Sequence, residues 1–463
     1  MDRAFRALCG AGSSACHDAA AIRNQPPRTI PSRMSAFTQL LRENRNYRYT
    51  WSGQVVSEIG DHFNNIAVMS LAMTHKNPGL VVTFVFLSRA VSMLVAGPIA
   101  GVLLDRLNRE HVMMASDAIR AVIALGFILC IHRTDERLMY VLSAMLMFAS
   151  PFFTSGRASI LPSIATPEEL HTANTMTQTT SWACLTIGAL LAARGVQSGY
   201  ELAFTYNALS FVISLFCISR LRRKGGFRAE GSRKKQEKTG FAQYREGLRY
   251  MRATPLVGAV AMISLGWASG GGTAQILFSL FGEQVFHAGG SGIGIIWGCA
   301  GVGLLIGAGI AYWLGKRLTF NGYKRTIPIV YLIHGGTYVL FSQMPTIAWA
   351  CVFIAISRAA VAISSVLNFS QLLRHVEDRF RGRVFATLES LTWSMMMISM
   401  MCGGLATLKY SPRTIGTWAG AISSTTAFFW WYADWRGRLF EPPTQTIEPG
   451  EDLEVKAEPP LAS

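Results

Sequence analysis

Residues 80–110 read LVVTFVFLSRAVSMLVAGPIAGVLLDRLNRE: an apolar run over 80–104 whose one charge is Arg89, then a turn crowded with Asp105, Arg106, Arg109 and Glu110. About 20 apolar residues carry an α-helix across the hydrocarbon of a bilayer. The run is therefore a membrane span, and the charged turn marks where it leaves the lipid.

The same pattern recurs along the chain. The apolar runs predict helices near 50–74, 80–104, 112–131, 138–158, 172–194, 201–219, 256–281, 291–315, 326–343, 346–368, 384–406 and 413–433. The composition agrees: half of the 463 residues are hydrophobic and only 15% are charged, against about 25% in soluble domains. The first, fifth and seventh segments carry more polar residues than a lipid-facing helix would, so their polar faces belong to the protein interior.

The formal charge of +16 does not point to nucleic acid, because the basic residues gather in the N-terminal tail and between the apolar runs. Residues 220–252, RLRRKGGFRAEGSRKKQEKTGFAQYREGLRYMR, hold 12 Lys and Arg against three Glu and split the segments six and six. Two bundles, 46–219 and 253–435, joined by a basic cytoplasmic linker is the reading. Within the linker, Phe241, Tyr244, Leu248 and Met251 share one face of a helix expected on the membrane surface. With both termini inside, the inner loops hold several times more Lys and Arg than the outer ones. Residues 1–45 are expected to be a disordered cytoplasmic extension, with Met34 a plausible start of the working protein or 1–33 a targeting peptide. The Pro- and Glu-rich tail 436–463 is expected to be disordered.

The turn that ends the second segment, Gly101-Val-Leu-Leu-Asp105-Arg106-Leu-Asn108-Arg109-Glu110, resembles the G-x-x-x-D-R-x-G-R-R loop of the major facilitator superfamily. Asn108 stands in place of the usual Gly, where its tolerance of left-handed backbone keeps the turn. Glu110 replaces the last Arg. Gly101 permits close helix approach, and Asp105 suits an Arg or the positive N-terminus of another helix. The resemblance implies a conformational latch made of Gly101, Asp105, Arg106 and Arg109, with Asp105 meeting the start of the eleventh segment near 384–389.

Further stretches are similar to the enterobactin-exporter and macrolide-efflux branch: 46–61, NYRYTWSGQVVSEIGD; 151–174, PFFTSGRASILPSIATPEELHTAN; 241–255, FAQYREGLRYMRATP; and Arg381-Gly-Arg-Val384. The resemblance implies an all-α membrane protein with 12 transmembrane helices in two pseudo-symmetric six-helix bundles. It also implies export driven by proton antiport.

Ionisable groups inside a bilayer are costly and often functional. Glu58, Asp61, His62 and Asn65 fall on one helical face. They either line a central cavity, with Glu58 or Asp61 carrying the proton, or hold structure through a neighbouring helix or a kink at Gly60. Asp117 and Arg120, at i,i+3, are expected to pair with each other. Arg157 is a candidate for function or for a headgroup anchor. Arg358 and Glu389 are the candidates of the second half. Arg89 is expected to snorkel from the outer half of its helix. Gly294, Gly298, Gly303 and Gly307 predict close helix packing, and Gly270-Gly271-Gly272 a hinge. Met395, Met396, Met397, Met400 and Met401 offer either an adaptable ligand surface or lipid-facing packing. Gly315-Lys316-Arg317 faintly echoes the Asp105 loop in the second half.

The eight cysteines show no C-x-x-C spacing, and six lie in apolar runs, so neither a disulfide framework nor a metal site is expected. No nucleophile elbow, zinc motif or Walker loop is present, so neither an enzyme nor a cofactor is expected. The sequence points to a monomeric secondary transporter in a bacterial inner membrane. Its expected activity is proton-coupled export of a small amphipathic molecule such as a drug, macrolide or siderophore. An importer, or a non-transporting sensor or scaffold of the same fold, remains open at this point.

Overall fold

The computed structural model describes residues 33–132, 135–222 and 240–441. Within them the chain forms 14 α-helices and no strand. A short helix, α1 (Arg33–Glu43), precedes six long ones: α2 (Arg45–Ala72), α3 (Pro78–Arg106), α4 (Arg109–Gly126), α5 (Arg137–Ile164), α6 (Pro167–Gly195) and α7 (Tyr200–Ser219). The amphipathic α8 (Gly240–Ala253) leads into six more: α9 (Pro255–Leu280), α10 (Gly289–Gly315), α11 (Phe320–Gln343), α12 (Ile347–His375), α13 (Asp378–Ala406) and α14 (Pro412–Trp435).

The caps are legible in the sequence. The Asn44 side chain accepts from the Tyr47 N–H, Thr166 and Glu169 close a capping box, and Thr319 and Ser411 cap α11 and α14. Prolines open α3, α6, α9 and α14, where a missing N–H costs nothing. The helices run past their apolar segments chiefly at one end of the molecule, at 45–49, 159–164, 320–325, 369–375 and 378–383. There the backbone continues beyond the lipid with polar side chains.

Eight helices are apolar and long enough to cross a membrane: α3, α4, α5, α7, α9, α10, α12 and α13. The other four long helices, α2, α6, α11 and α14, match them in length but carry more polar residues. They pack among the eight, which gives two groups of six helices. A belt of exposed apolar side chains, including Ile119, Val122, Leu209, Trp313 and Trp418, faces outward from both groups. In a lipid solvent this is the surface expected of a multi-pass integral membrane protein.

Small residues set the helix spacing. A methyl group on Gly303 or Gly307 would strike the α12 backbone at Ala355 or Ala359. One on Gly294 or Gly298 would strike Ala189 or Leu190 of α6. The two glycine pairs of α10 therefore serve different partners, one in its own bundle and one in the other. Gly270 and Gly272 pack against α14 and α13 backbone, at Ala419 and Met396, so the glycine triplet is a close-packing site here. Six cysteines, Cys130, Cys184, Cys217, Cys299, Cys351 and Cys402, form no disulfide among the described residues.

Two segments differ from expectation. Part of the N-terminal extension is helical: α1 packs Leu40 into the interior and sets Phe37 edge-on to Trp51 at 5.9 Å. The helix expected on the membrane surface, α8, instead packs on the start of α13. Glu246 pairs with Arg383 at 3.0 Å, Tyr250 stacks near Phe380 at 4.8 Å, and Gly247 lies against Thr387. The basic stretch 223–239, residues 1–32 and the tail from 442 lie outside the described residues.

Candidate functional site

The polar face of α2 is the axis of the site. Gln54, Glu58, Asp61, His62 and Asn65 recur at helical spacing. Each of the first two acidic positions faces a different helix of the first bundle. The Glu58 Oε1 accepts from Gln54 at 3.0 Å, from Ser181 of α6 at 3.1 Å and from Arg157 of α5 at 3.3 Å. Arg157 is therefore tied to Glu58 in the interior and is no headgroup anchor.

Asp61 faces α4. Its carboxylate lies 3.6 Å from Arg120, and Arg120 is also paired with Asp117 on its own helix. Two aromatic faces hold the same guanidinium, Phe211 at 4.4 Å and Phe153 at 4.8 Å from the ring centroids. Asp117 is fully buried, whereas the Asp61 side chain keeps 35% of its surface exposed. The expected Asp117–Arg120 pair is present, and Asp61 joins it from the next helix.

Arg89 does not snorkel. It is buried, and its guanidinium donates to the Asn65 Oδ1 of α2. A long side chain rooted in the middle of α3 reaches the bundle interior more readily than either surface. Its missing signal was Asn65, whose spacing from Asp61 could have suggested a partner on α3.

These groups border a cavity of about 260 Å³ between the two bundles. Asp61, His62, Asn65, Arg89 and Arg120 come from the first bundle, and Gln275, Trp393 and Met400 from the second. Met396 and Met400 are buried, and the Gln275 amide donates to the Met396 sulfur at 3.6 Å. The cavity thus pairs a charged wall with an aromatic and thioether wall. Of the remaining candidates, Arg358 is buried in α12 and Glu389 is exposed on α13, and neither borders this cavity.

The bundles touch at one end. A methyl on Gly79 would strike Thr407, one on Gly404 would strike Thr83, and one on Gly290 would strike Ser70. At the opposite end α3 and α13 stand apart. A methyl on Gly97 or Gly101 would meet nothing within 4 Å, and Asp105, Arg106 and Glu389 are all exposed. Asp105 does not meet residues 384–389 in this structure, and Gly101 makes no close helix approach. The face of α13 nearest that start is taken by α8, through Glu246 and Arg383. Within the loop, Arg109 donates to the Ser159 carbonyl at 2.8 Å, binding α4 to α5. Asn108 is extended, with φ −68°, and caps α4 by accepting from the Glu110 N–H at 3.1 Å. An N-cap needs a side-chain oxygen on an extended residue, so Asn replaces Gly here through its side chain and not through left-handed backbone.

Among the described residues, no group of three or more His, Cys, Asp or Glu side chains is arranged to hold a metal.

Comparison with known proteins agrees with this architecture. The chain is 24% identical over 351 residues to BacE of Bacillus subtilis (strain 168), a proposed bacilysin exporter, covering 74% of this chain and 84% of the relative. It is 24% identical over 390 residues to the uncharacterized MFS-type transporter YfiS of the same organism, covering 79% and 88%. Among solved structures it resembles the nucleoside transporter NupG, with a TM-score of 0.62, 12% identity and coverage of 83% and 98%. It also resembles a bacterial homologue of the iron transporter ferroportin in an inward-facing state, with a TM-score of 0.61, 18% identity and coverage of 86% and 99%. At these identities the structural likenesses speak for the fold alone. The sequence profile of the Major Facilitator Superfamily matches residues 50–400, and with two six-helix bundles around a central cavity the chain belongs to that superfamily.

Proposed function

We propose that the protein is a proton-coupled exporter of small amphipathic molecules, of the enterobactin-exporter and macrolide-efflux type, working by alternating access. The observation that carries the reading is Asp61: a carboxylate on the cavity wall that shares Arg120 with a second, fully buried carboxylate. When Asp61 takes a proton, Asp117 still neutralises Arg120, so no buried cation is stranded. A proton can therefore be loaded and released at Asp61 while the bundle core stays paired. The proton is the coupling ion in this reading, and the chain works as a monomer in a bacterial inner membrane with both termini in the cytoplasm.

The contact of the bundles at the Gly79–Thr407 end and the separation at the Asp105 end support an inward-facing state. The Asp105 loop would then latch the bundles in the other, outward-facing state. The mixed wall of Arg89 and Asn65 against Trp393 and Met400 suits an amphipathic cargo, since thioether and aromatic surfaces adapt to varied shapes. The relationship to a proposed exporter supports the direction.

The test is accumulation of fluorescent drugs, macrolides and catecholate siderophores in an efflux-deficient host. Wild type is compared with Asp61→Asn, with and without a protonophore. Reduced accumulation of at least one compound, lost on Asp61→Asn and on adding the protonophore, is the expected result. Raised accumulation by wild type would point to import, and equal accumulation by equally expressed wild type and variant would overturn the exporter reading.

A further inference from the structure

Three arginines of the first bundle have an oxygen to hold: Arg120 has Asp117 and Asp61, Arg157 has Glu58, and Arg89 has Asn65. Arg358 of α12 is different. It is 8% exposed, yet among the described residues it has neither a carboxylate nor a hydrogen-bond acceptor. Its contact is the Phe278 ring, whose centroid lies 5.0 Å from the guanidinium carbon. A ring face returns only part of what a guanidinium loses on leaving water. Unpaired cations at membrane depth are accordingly rare and functional.

Two polar groups in the aromatic cluster beside Arg358 lack partners. The Trp297 ring meets Phe278 edge-on at 5.1 Å, Phe278 meets Phe341 at 5.9 Å, and Phe341 meets Tyr338 at 5.5 Å. The Trp297 Nε1 and the Tyr338 hydroxyl are both buried without a hydrogen-bond partner. The Tyr338 and His334 ring centroids lie 6.3 Å apart, and His334 is joined to Ser357, the residue before Arg358. The His334 Nδ1 is engaged by the Ser357 hydroxyl at 2.7 Å. Indole and guanidinium can only donate, and the tyrosine hydroxyl can do so. A donor set around an unbalanced positive charge, walled by aromatic rings, is complementary to an anionic acceptor on an apolar body. Phe278, the ring that Arg358 covers, lies one helical turn along α9 from Gln275 of the central cavity.

We propose that Arg358, with Tyr338 and Trp297, forms a subsite for a carboxylate carried by the transported molecule. The term cargo rests on the transport reading above. The subsite itself rests on the orphaned donors.

The experiment titrates the full-length protein in detergent with naphthylacetate and with the uncharged naphthylacetamide, followed by calorimetry. The expected result is at least about tenfold tighter binding of the acid. Arg358→Gln should bring acid and amide to parity, and Arg358→Lys should keep part of the preference. Tyr338→Phe, which keeps the ring and removes the hydroxyl, should weaken the acid several-fold and leave the amide unchanged. If Arg358→Gln fails to fold by gel filtration and circular dichroism, the lysine and phenylalanine variants decide. Equal affinity of acid and amide for wild type, no binding of either at millimolar concentration, or a preference that survives the substitutions overturns the subsite. Proton-linked flux of both probes in proteoliposomes is a separate readout. Arg358-dependent preference without flux keeps the subsite and removes the transport reading. Proton-linked flux of the amide without a charge preference does the reverse.

Discussion

The Asp61 carboxylate stands 3.6 Å from the Arg120 guanidinium, on which Asp117 also closes from one turn away. One cation therefore has a buried partner within its own helix and a cavity-facing partner from α2. The two carboxylates have the same chemistry and different surroundings, and that difference makes them separable by experiment.

Asp117→Asn removes the buried partner of a buried arginine and leaves it only the longer pair with Asp61, so a loss below the roughly 3–5 kcal/mol of a fully stranded buried charge is expected. Asp61→Asn leaves Arg120 paired with Asp117 and removes a partly exposed carboxylate, for which about 1 kcal/mol or less is expected. Thermal unfolding of the purified protein should show a large fall for the first and a small one for the second. Proton-linked flux should be lost in both. Equal falls would mean that Asp61 is as structural as Asp117.

Glu58 collects three donors, and Arg157 is the charged one. Glu58→Gln and Arg157→Gln should each destabilise, and the double variant should lose less than the sum. A coupling of about 1–3 kcal/mol is expected for groups in one buried network. A coupling near zero from a double-mutant cycle would show that Gln54 and Ser181 suffice to hold Glu58.

Gly79 and Gly404 let the bundles touch at one end, against Thr407 and Thr83. Gly404→Val wedges that end apart and should favour the opposite conformation. The readout is labelling of Asp105→Cys, in a background without other cysteines, by an impermeant maleimide on open membranes. Labelling should be fast in the parent, where position 105 is exposed, and several-fold slower with Gly404→Val. Unchanged labelling would show that this contact does not set the balance of states.

Asp105 is exposed and has no hydrogen bond or ion pair among the described residues, so Asp105→Asn should leave the thermal stability of this state within about 0.5 kcal/mol. If the loop latches the other state, the same variant should still lower flux strongly, with the loss in turnover and not in binding. A variant with wild-type flux would reduce the loop to a solvated turn.

Residue types and spacing sufficed for the helices. Long apolar runs can satisfy their backbone in lipid only by local hydrogen bonds, and those bonds are set by sequence. Hence α2 to α7 and α9 to α14 fall close to the runs, and Asp117 finds Arg120 within a single turn. The six-plus-six grouping and the charged turn at Asp105 were legible for the same reason: both are local patterns.

Pairing between helices was not legible. Arg157 finds Glu58 across 99 positions, Asp61 reaches Arg120 across 59, and Arg89 turns inward to Asn65. Arg358, by contrast, finds no acceptor among the described residues. None of this is encoded in spacing, because it depends on which faces of separate helices come together. The surroundings of Asp105 are likewise a property of the assembled bundles: the loop is written in the sequence, and its exposure follows from how far apart α3 and α13 stand at that end. The sequence by itself determined a membrane-embedded helical transporter fold and its polar face on α2. Tertiary packing alone decided which charges are paired, which carboxylate meets the cavity and which arginine is left without a counter-charge, since those outcomes turn on distances of a few ångströms between segments far apart in the chain.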